Sequence, residues 1–194
     1  MSQNILLKVI IMEKKLRGLK VAVLVADGFE QSEMVEPRKA LQDAGAYVDI
    51  VSPSMGMVKS WSAGNWAESY HVDVPLVSGG MDHEYDALVL PGGVINPDHL
   101  RIIPHAIEFI QQMFQDKKPI AAICHGPWTL INAGAVHGKQ VTSWPSIKVD
   151  LENAGALWVD KEVVRDGTLV TSRKPADLPM FNAEMIKLFS EYVS

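Results

Sequence analysis

The chain has 194 residues, of which 47% are apolar and 21% charged, with a formal charge of −5. That length supports one well-buried core, and a second domain would leave both halves small, so a single domain is expected. An isoelectric point near 5.6 argues against a nucleic-acid partner, and a lone cysteine excludes an intrachain disulfide framework, so a cytoplasmic setting and small or polypeptide substrates follow as defaults.

Ile5 to Met12 is apolar but too short to span a bilayer, and its positive cluster of Lys14, Lys15 and Arg17 follows it, which argues against a secretory signal or membrane partner. Residues 1–11 read as an upstream extension or an extra edge strand, and residues 1–19 as a segment preceding one domain over 20–194. Val21 to Ala26 is an unbroken apolar run closed by Asp27-Gly28, which predicts a strand covered on both faces. The next segment reads as a helix with Met34, Val35, Leu41 and Ala44 on its apolar side, Ser32 as N-cap, Pro37 early enough to be accommodated and Gly45 as its stop.

Tyr47 to Ser52 predicts a second strand, and the glycine-punctuated stretch from Gly56 to Gly80, with Trp61 and Trp66, a β-hairpin excursion. Ala87 to Leu90 is another buried strand, ending in Pro91-Gly92-Gly93 and leading to a helix with Ile103, Ile107, Ile110 and Phe114 at helical spacing. Pro119 to Ile123 repeats the strand pattern into Cys124-His125-Gly126-Pro127 and a helix stopping near Ala133-Gly134. Shorter β segments are expected at 140–142 and 163–171, then a last helix opened by Asp177 with a stripe of Phe181, Met185, Leu188, Phe189 and Tyr192. Repeated βα units imply an α/β fold with a mostly parallel sheet between helices, with function at the carboxyl ends of its strands.

Small residues two before and two after Cys124 satisfy a nucleophile elbow, and the N-terminus of the following helix is expected to lower the thiol's pKa. His125 is the adjacent candidate base, although neighbours on a sharp turn project in different directions. The amides of Gly92 and Gly93, with that of His125, are candidates for an oxyanion hole. No cofactor or metal motif is read.

These runs, with Phe29-Glu30-Gln31-Ser32-Glu33, Asn153-Ala154-Gly155-Ala156 and Thr171 to Leu178, make the chain from Val21 to Val193 resemble the PfpI-type intracellular cysteine peptidases of the class I glutamine-amidotransferase-like group. The resemblance implies a flavodoxin-like sandwich, a homodimer or higher oligomer, and a carboxylate bonded to the elbow cysteine, here Glu33. It also implies an acid from a neighbouring subunit paired with His125. By position that is Asp98, although one extra residue separates Gly93 from Pro97 and Asp is shorter than the family's Glu. Glu30 reads as a structural or dimer-contact acid. Trp128 replaces a smaller polar residue of the relatives, either narrowing the cleft or packing at a subunit interface.

The first functional reading is a peptidase or acyl hydrolase working through a Cys124 thioester, with His125 and Asp98. The alternative is a glyoxalase or deglycase acting on small carbonyl compounds with Cys124 and Glu33, and the third a redox-sensing or chaperone-like stress protein. Glutamine amidotransfer is disfavoured by the lack of a downstream His-x-Glu pair.

Overall fold

A computed structural model describes residues 15–77 and 84–192, so the expectations for residues 1–11 lie outside the described residues. Leu16 and Leu19, assigned above to a segment preceding the domain, are buried in its core, and the Leu16 N–H donates to the Ala44 carbonyl. Among the described residues no helix is long and apolar enough to cross a membrane.

The apolar runs form a seven-stranded sheet. Its members are β1 (Lys20–Leu24), β3 (Tyr47–Ser52), β6 (Val74–Pro75), β7 (Ala87–Leu90), β8 (Ile120–Ile123), β11 (Val163–Asp166) and β12 (Leu169–Ser172). They lie in the order β11-β12-β8-β7-β1-β3-β6, and every pairing is parallel except β11 with β12. The unbroken hydrophobicity of β1 is explained by its two faces. Val21 and Val23 enter one core with the helices α1 (Gln31–Asp43) and α6 (Leu178–Tyr192), through Met34, Leu41, Phe181 and Phe189. Ala22 and Leu24 enter the other, with α2 (Ile95–Leu100), α3 (Pro104–Gln115), α4 (Pro127–Asn132) and α5 (Lys148–Asn153). Each fully buried Phe or Leu contributes about 1.5–3 kcal/mol, so this alternation stabilises a three-layer flavodoxin-like sandwich.

Helix α1 ends as its glycine predicts: Gly45, at φ +97°, donates to the Gln42 carbonyl and Ala46 to that of Leu41, a Schellman closure. Its start differs. Glu30 holds the N-cap position without a side-chain cap bond, and Ser32 lies inside the first turn. Pro37 is the seventh helical residue rather than an early one, and it removes the N–H that would pair with the Glu33 carbonyl.

The expected excursion is a hairpin of β4 (Met57–Ser62) and β5 (Asn65–His71), turning through Ala63 and Gly64, both at positive φ. Trp61 and Trp66 pair across it edge to face, ring centroids 5.4 Å apart. Strand β4 also pairs in parallel with β2 (Phe29–Glu30), which sets Trp61 beside Glu30 at the mouth of the β1 loop. The β segment expected at 140–142 is β9 (Gln140–Val141), which pairs in parallel with β10 (Leu157–Trp158); β10 and α5 were not read from the sequence.

Candidate active site

Strands β1 and β7 are neighbours in the sheet although a helix, β3 and a hairpin separate them in the chain, and the crevice beyond their carboxyl ends is where such folds hold ligands. The loops after β1, β7 and β8 meet there around a cavity of about 430 Å³, lined among others by Glu33, Gly93, Cys124 and His125.

Cys124 occupies the elbow at φ +61°, a left-handed conformation costly for a residue with a Cβ. Hydrogen bonds on both sides hold it: its N–H donates to the Ser172 carbonyl at 3.0 Å, and its carbonyl accepts from the Trp144 N–H at 2.9 Å. A Cβ on Gly126 would run into the Leu90 carbonyl oxygen, which is why the position two beyond the cysteine has no side chain.

Glu33 is fully buried and reaches under the elbow from α1. Its Oε2 accepts the Gly92 N–H at 2.9 Å, its carboxyl interacts with the Cys124 thiol, and Oε1 accepts no protein N–H or O–H. Burial pushes the carboxyl up from 4.5 to about 8, opposed by the Gly92 and Cys124 hydrogen bonds. The carboxyl therefore carries its proton at neutral pH.

The thiol departs from expectation in the same way. Burial first, and then the adjacent Glu33 carboxyl, push Cys124 above its ordinary value, while the amides of Gly93 and His125 pull it down. Helix α4 has only six residues. A helix terminus is worth about 0.3–1 kcal/mol, which is less than the cost of desolvating a charge. The acid and thiol thus form a neutral pair at rest, in which loss of one proton opposes loss of the second.

The oxyanion-hole candidates divide. The Gly92 N–H is committed to Glu33, and a Cβ there would lie 2.6 Å from Oε2 and 2.7 Å from the Cys124 Cβ, so Gly92 serves close packing. The Gly93 and His125 amides remain directed at the sulfur. Asn96, fully buried and missed in the sequence, ties these loops together. Its Oδ1 accepts the Ala26 N–H at 2.7 Å, and its Nδ2 donates to the carbonyls of Pro91 and Gly92 at 3.0 and 3.1 Å.

His125 does reach the cysteine, with Nδ1 3.3 Å from Sγ, while Nε2 lies 3.1 Å from the Ser146 hydroxyl. Burial lowers its pKa, which favours neutral imidazole. Asp98 is exposed on α2 and does not line the cavity. Nor does Trp128 line it: its Nε1 donates to Asp150 at 2.8 Å and the Arg101 guanidinium sits 4.6 Å over its ring, both directing it away from the cavity. The aromatic walls are Trp61 and Trp144 instead, and Glu30, read as a structural acid, is a lining residue. Pro175 completes the wall in a loop fixed by the Arg173 guanidinium, which donates two bonds to Asp177 and one to Asp160.

A model of the DJ-1/PfpI family matches residues 19–188. General stress protein 18 of Bacillus subtilis (strain 168) is 41% identical over 175 residues, spanning 90% of this chain and 99% of that protein. A protein named deglycase PfpI from Pyrococcus furiosus is 41% identical over 170 residues, 88% of this chain and 99% of that one. Drosophila melanogaster DJ-1beta has the same fold at a TM-score of 0.78 and 28% identity, over 90% of this chain and 95% of its own. With the match spanning the sheet, the elbow and the buried carboxyl alike, this chain belongs to the DJ-1/PfpI family.

Proposed function

We propose that the chain is a cofactor-independent enzyme acting on α-oxoaldehydes, methylglyoxal among them, or on groups they have modified, with Cys124 as nucleophile and Glu33 as acid and base. The carrying observation is the buried Glu33 carboxyl beside the thiol, with its pKa raised to about 8. A group with that value is about one-tenth ionised at neutral pH, so it can both take and return a proton there. Relatives named deglycase support the same reading.

On methylglyoxal, sulfur adds to the aldehyde carbon, a C–S bond replaces the carbonyl π bond, and the thiol proton passes to the new oxygen, giving a hemithioacetal. The Gly93 and His125 amides, already directed at the sulfur, are placed to stabilise charge developing on the atoms bonded to it. Ionised Glu33 then removes the proton from the former aldehyde carbon and returns it to the adjacent ketone carbon. The hydroxyl proton follows to the ketone oxygen, and the product is a lactoyl thioester. Water cleaves the C–S bond, releasing lactate and a proton and restoring the thiol, so the net change is methylglyoxal plus water to lactate and a proton.

The Nδ1–Sγ approach of 3.3 Å favours a second reading, peptide or acyl hydrolysis by a Cys124–His125 pair. That chemistry would draw on Asp98 of a second copy to orient the imidazole, and so on self-association. The test is to assay wild type, Cys124→Ala, Glu33→Gln and His125→Ala against methylglyoxal and a fluorogenic peptide. Lactate formation lost in Glu33→Gln and kept in His125→Ala is the expected result. Peptide cleavage lost in His125→Ala, with no lactate from the wild type, would overturn it.

A further inference from the structure

We infer that Trp144, together with Trp61, makes Cys124 selective for uncharged carbonyl compounds bearing an aromatic or large apolar group over small and anionic ones. The inference rests on Cys124 being the reacting atom of the proposed function, and it names the substrate class of that site.

The backbone of Trp144 is fixed relative to the sulfur. Its backbone N–H donates to the Cys124 carbonyl at 2.9 Å, and the helical turn Pro145–Ile147 starts directly after it. Its indole lies at 26° to the His125 imidazole, ring centroids 6.0 Å apart, and the exposed residue lines the cavity. Trp61 lines the same cavity from β4, which pairs with β2, and its ring meets that of Trp66 edge to face. Val94 and Ile95, both exposed, continue the apolar surface.

A flat indole stacked beside the His125 imidazole offers an aromatic substrate group offset stacking and removes it from water, whereas a methyl group gains little from the same surface. The charged groups point the same way. Glu30 and the protonated Glu33 are the acids among the described residues lining the cavity, and no Lys or Arg is among those residues. An anionic substrate would therefore approach Glu30 with no cation to receive it.

Because the chain has one cysteine, alkylation at this site can be followed by intact mass without any turnover. Phenacyl bromide, bromoacetone and bromoacetate share a reaction: sulfur bonds to the CH2 carbon, bromide leaves, and the thiol proton goes to solvent. Each rate is divided by that for N-acetylcysteine, which removes the reagents' intrinsic reactivity.

The expected normalised preference is about tenfold for phenacyl bromide over bromoacetone and larger over bromoacetate, in the range apolar pockets give for groups of this size. Trp144→Ala should bring the phenacyl-to-bromoacetone ratio to within about twofold of unity, and Trp61→Ala should lower it independently if the first variant folds poorly. Glu30→Gln should raise the bromoacetate rate and leave the other ratio unchanged. A wild-type ratio within about twofold of unity, a ratio unmoved by both tryptophan variants, or a Cys124 that no reagent modifies overturns the inference. Selectivity in a chain that forms no lactate would reject the proposed reaction and keep the inference; lactate formation without selectivity would do the reverse.

Discussion

Glu33→Gln separates the cost of the buried carboxyl from its contacts. The amide keeps an acceptor for the Gly92 N–H and nearly the same volume, but it cannot titrate. In the wild type the folded carboxyl holds its proton to about pH 8 against an ordinary 4.5, because burial penalises its charge. Between those values the folded state binds more protons than the unfolded one, so stability falls as pH rises through that window. The contribution is intact below the lower value, declines by about 1.4 kcal/mol per pH unit, and is constant again above the upper one. From pH 5 to pH 8 the wild type should therefore lose about 4 kcal/mol relative to the variant. Any contact changed by the amide displaces the variant's curve by a constant and leaves this slope alone. Urea denaturation at four pH values across that range, with midpoints converted through the slope m, reads the difference directly. Curves that stay parallel within about 1 kcal/mol would refute burial as the cause of the raised carboxyl. The same variant should lose about 10²–10⁴ in turnover, the usual worth of a general acid and base.

On methylglyoxal, kcat/KM should climb with pH to a plateau above about 8, because one proton must leave the Glu33–Cys124 pair before either can act, and Glu33→Gln should remove that inflection. A profile flat from about pH 6 to 9 would reject the coupling. Gly126→Ala should cost about 3 kcal/mol or more, since its Cβ meets the backbone oxygens of Leu90 and Ile123. Gly134→Ala meets nothing within 4 Å and should cost only the 1–2 kcal/mol, roughly, of a left-handed backbone at φ +69°; denaturation midpoints in the opposite order would contradict the steric account. Arg173→Ala leaves the buried Asp177 without its two-pronged partner and should lower stability by about 2 kcal/mol, discounted for partial exposure. Arg173→Lys should restore less than half, because an ammonium cannot reproduce the planar fork; full recovery in a denaturation midpoint would show that charge alone matters.

What the sequence made readable was set by local rules. Strands β1, β7 and β8 announce themselves as apolar runs because both faces are buried, and Gly45 stops α1 because a left-handed cap needs it. The elbow was readable from the small residues flanking Cys124, since sterics at a sharp turn act on near neighbours. Long-range placement was not. Trp128 lies four residues from the cysteine in the chain, yet the first turn of α4 carries it toward Arg101 and Asp150. Trp144 lies twenty residues away and arrives at the site through one backbone hydrogen bond to Cys124 that no periodicity encodes. Asn96 was equally hidden, because a polar residue just after a glycine turn looks like ordinary loop until its two neighbouring loops are seen to share it.

The thiol shows why motif and environment must be weighed together. Helix position alone argues for a thiolate, but the site also excludes water and places a second acid against the sulfur, and those two effects outweigh a short helix. The first proton lost from the pair leaves one negative charge shared between carboxyl and sulfur. Thiolate with neutral Glu33, and thiol with ionised Glu33, are then proton-transfer isomers of equal net charge. The Gly93 and His125 amides favour the first, and the Gly92 N–H favours the second. Addition to an aldehyde needs sulfur as the anion, whereas moving the carbon-bound proton needs the carboxylate, so a pair that can pass one proton between its members serves both halves of the proposed reaction. A separate base that held the thiol permanently ionised would serve only the first half. That is the physical argument for a buried acid, rather than a fully charged Cys–His pair, as the thiol's partner in the proposed reaction.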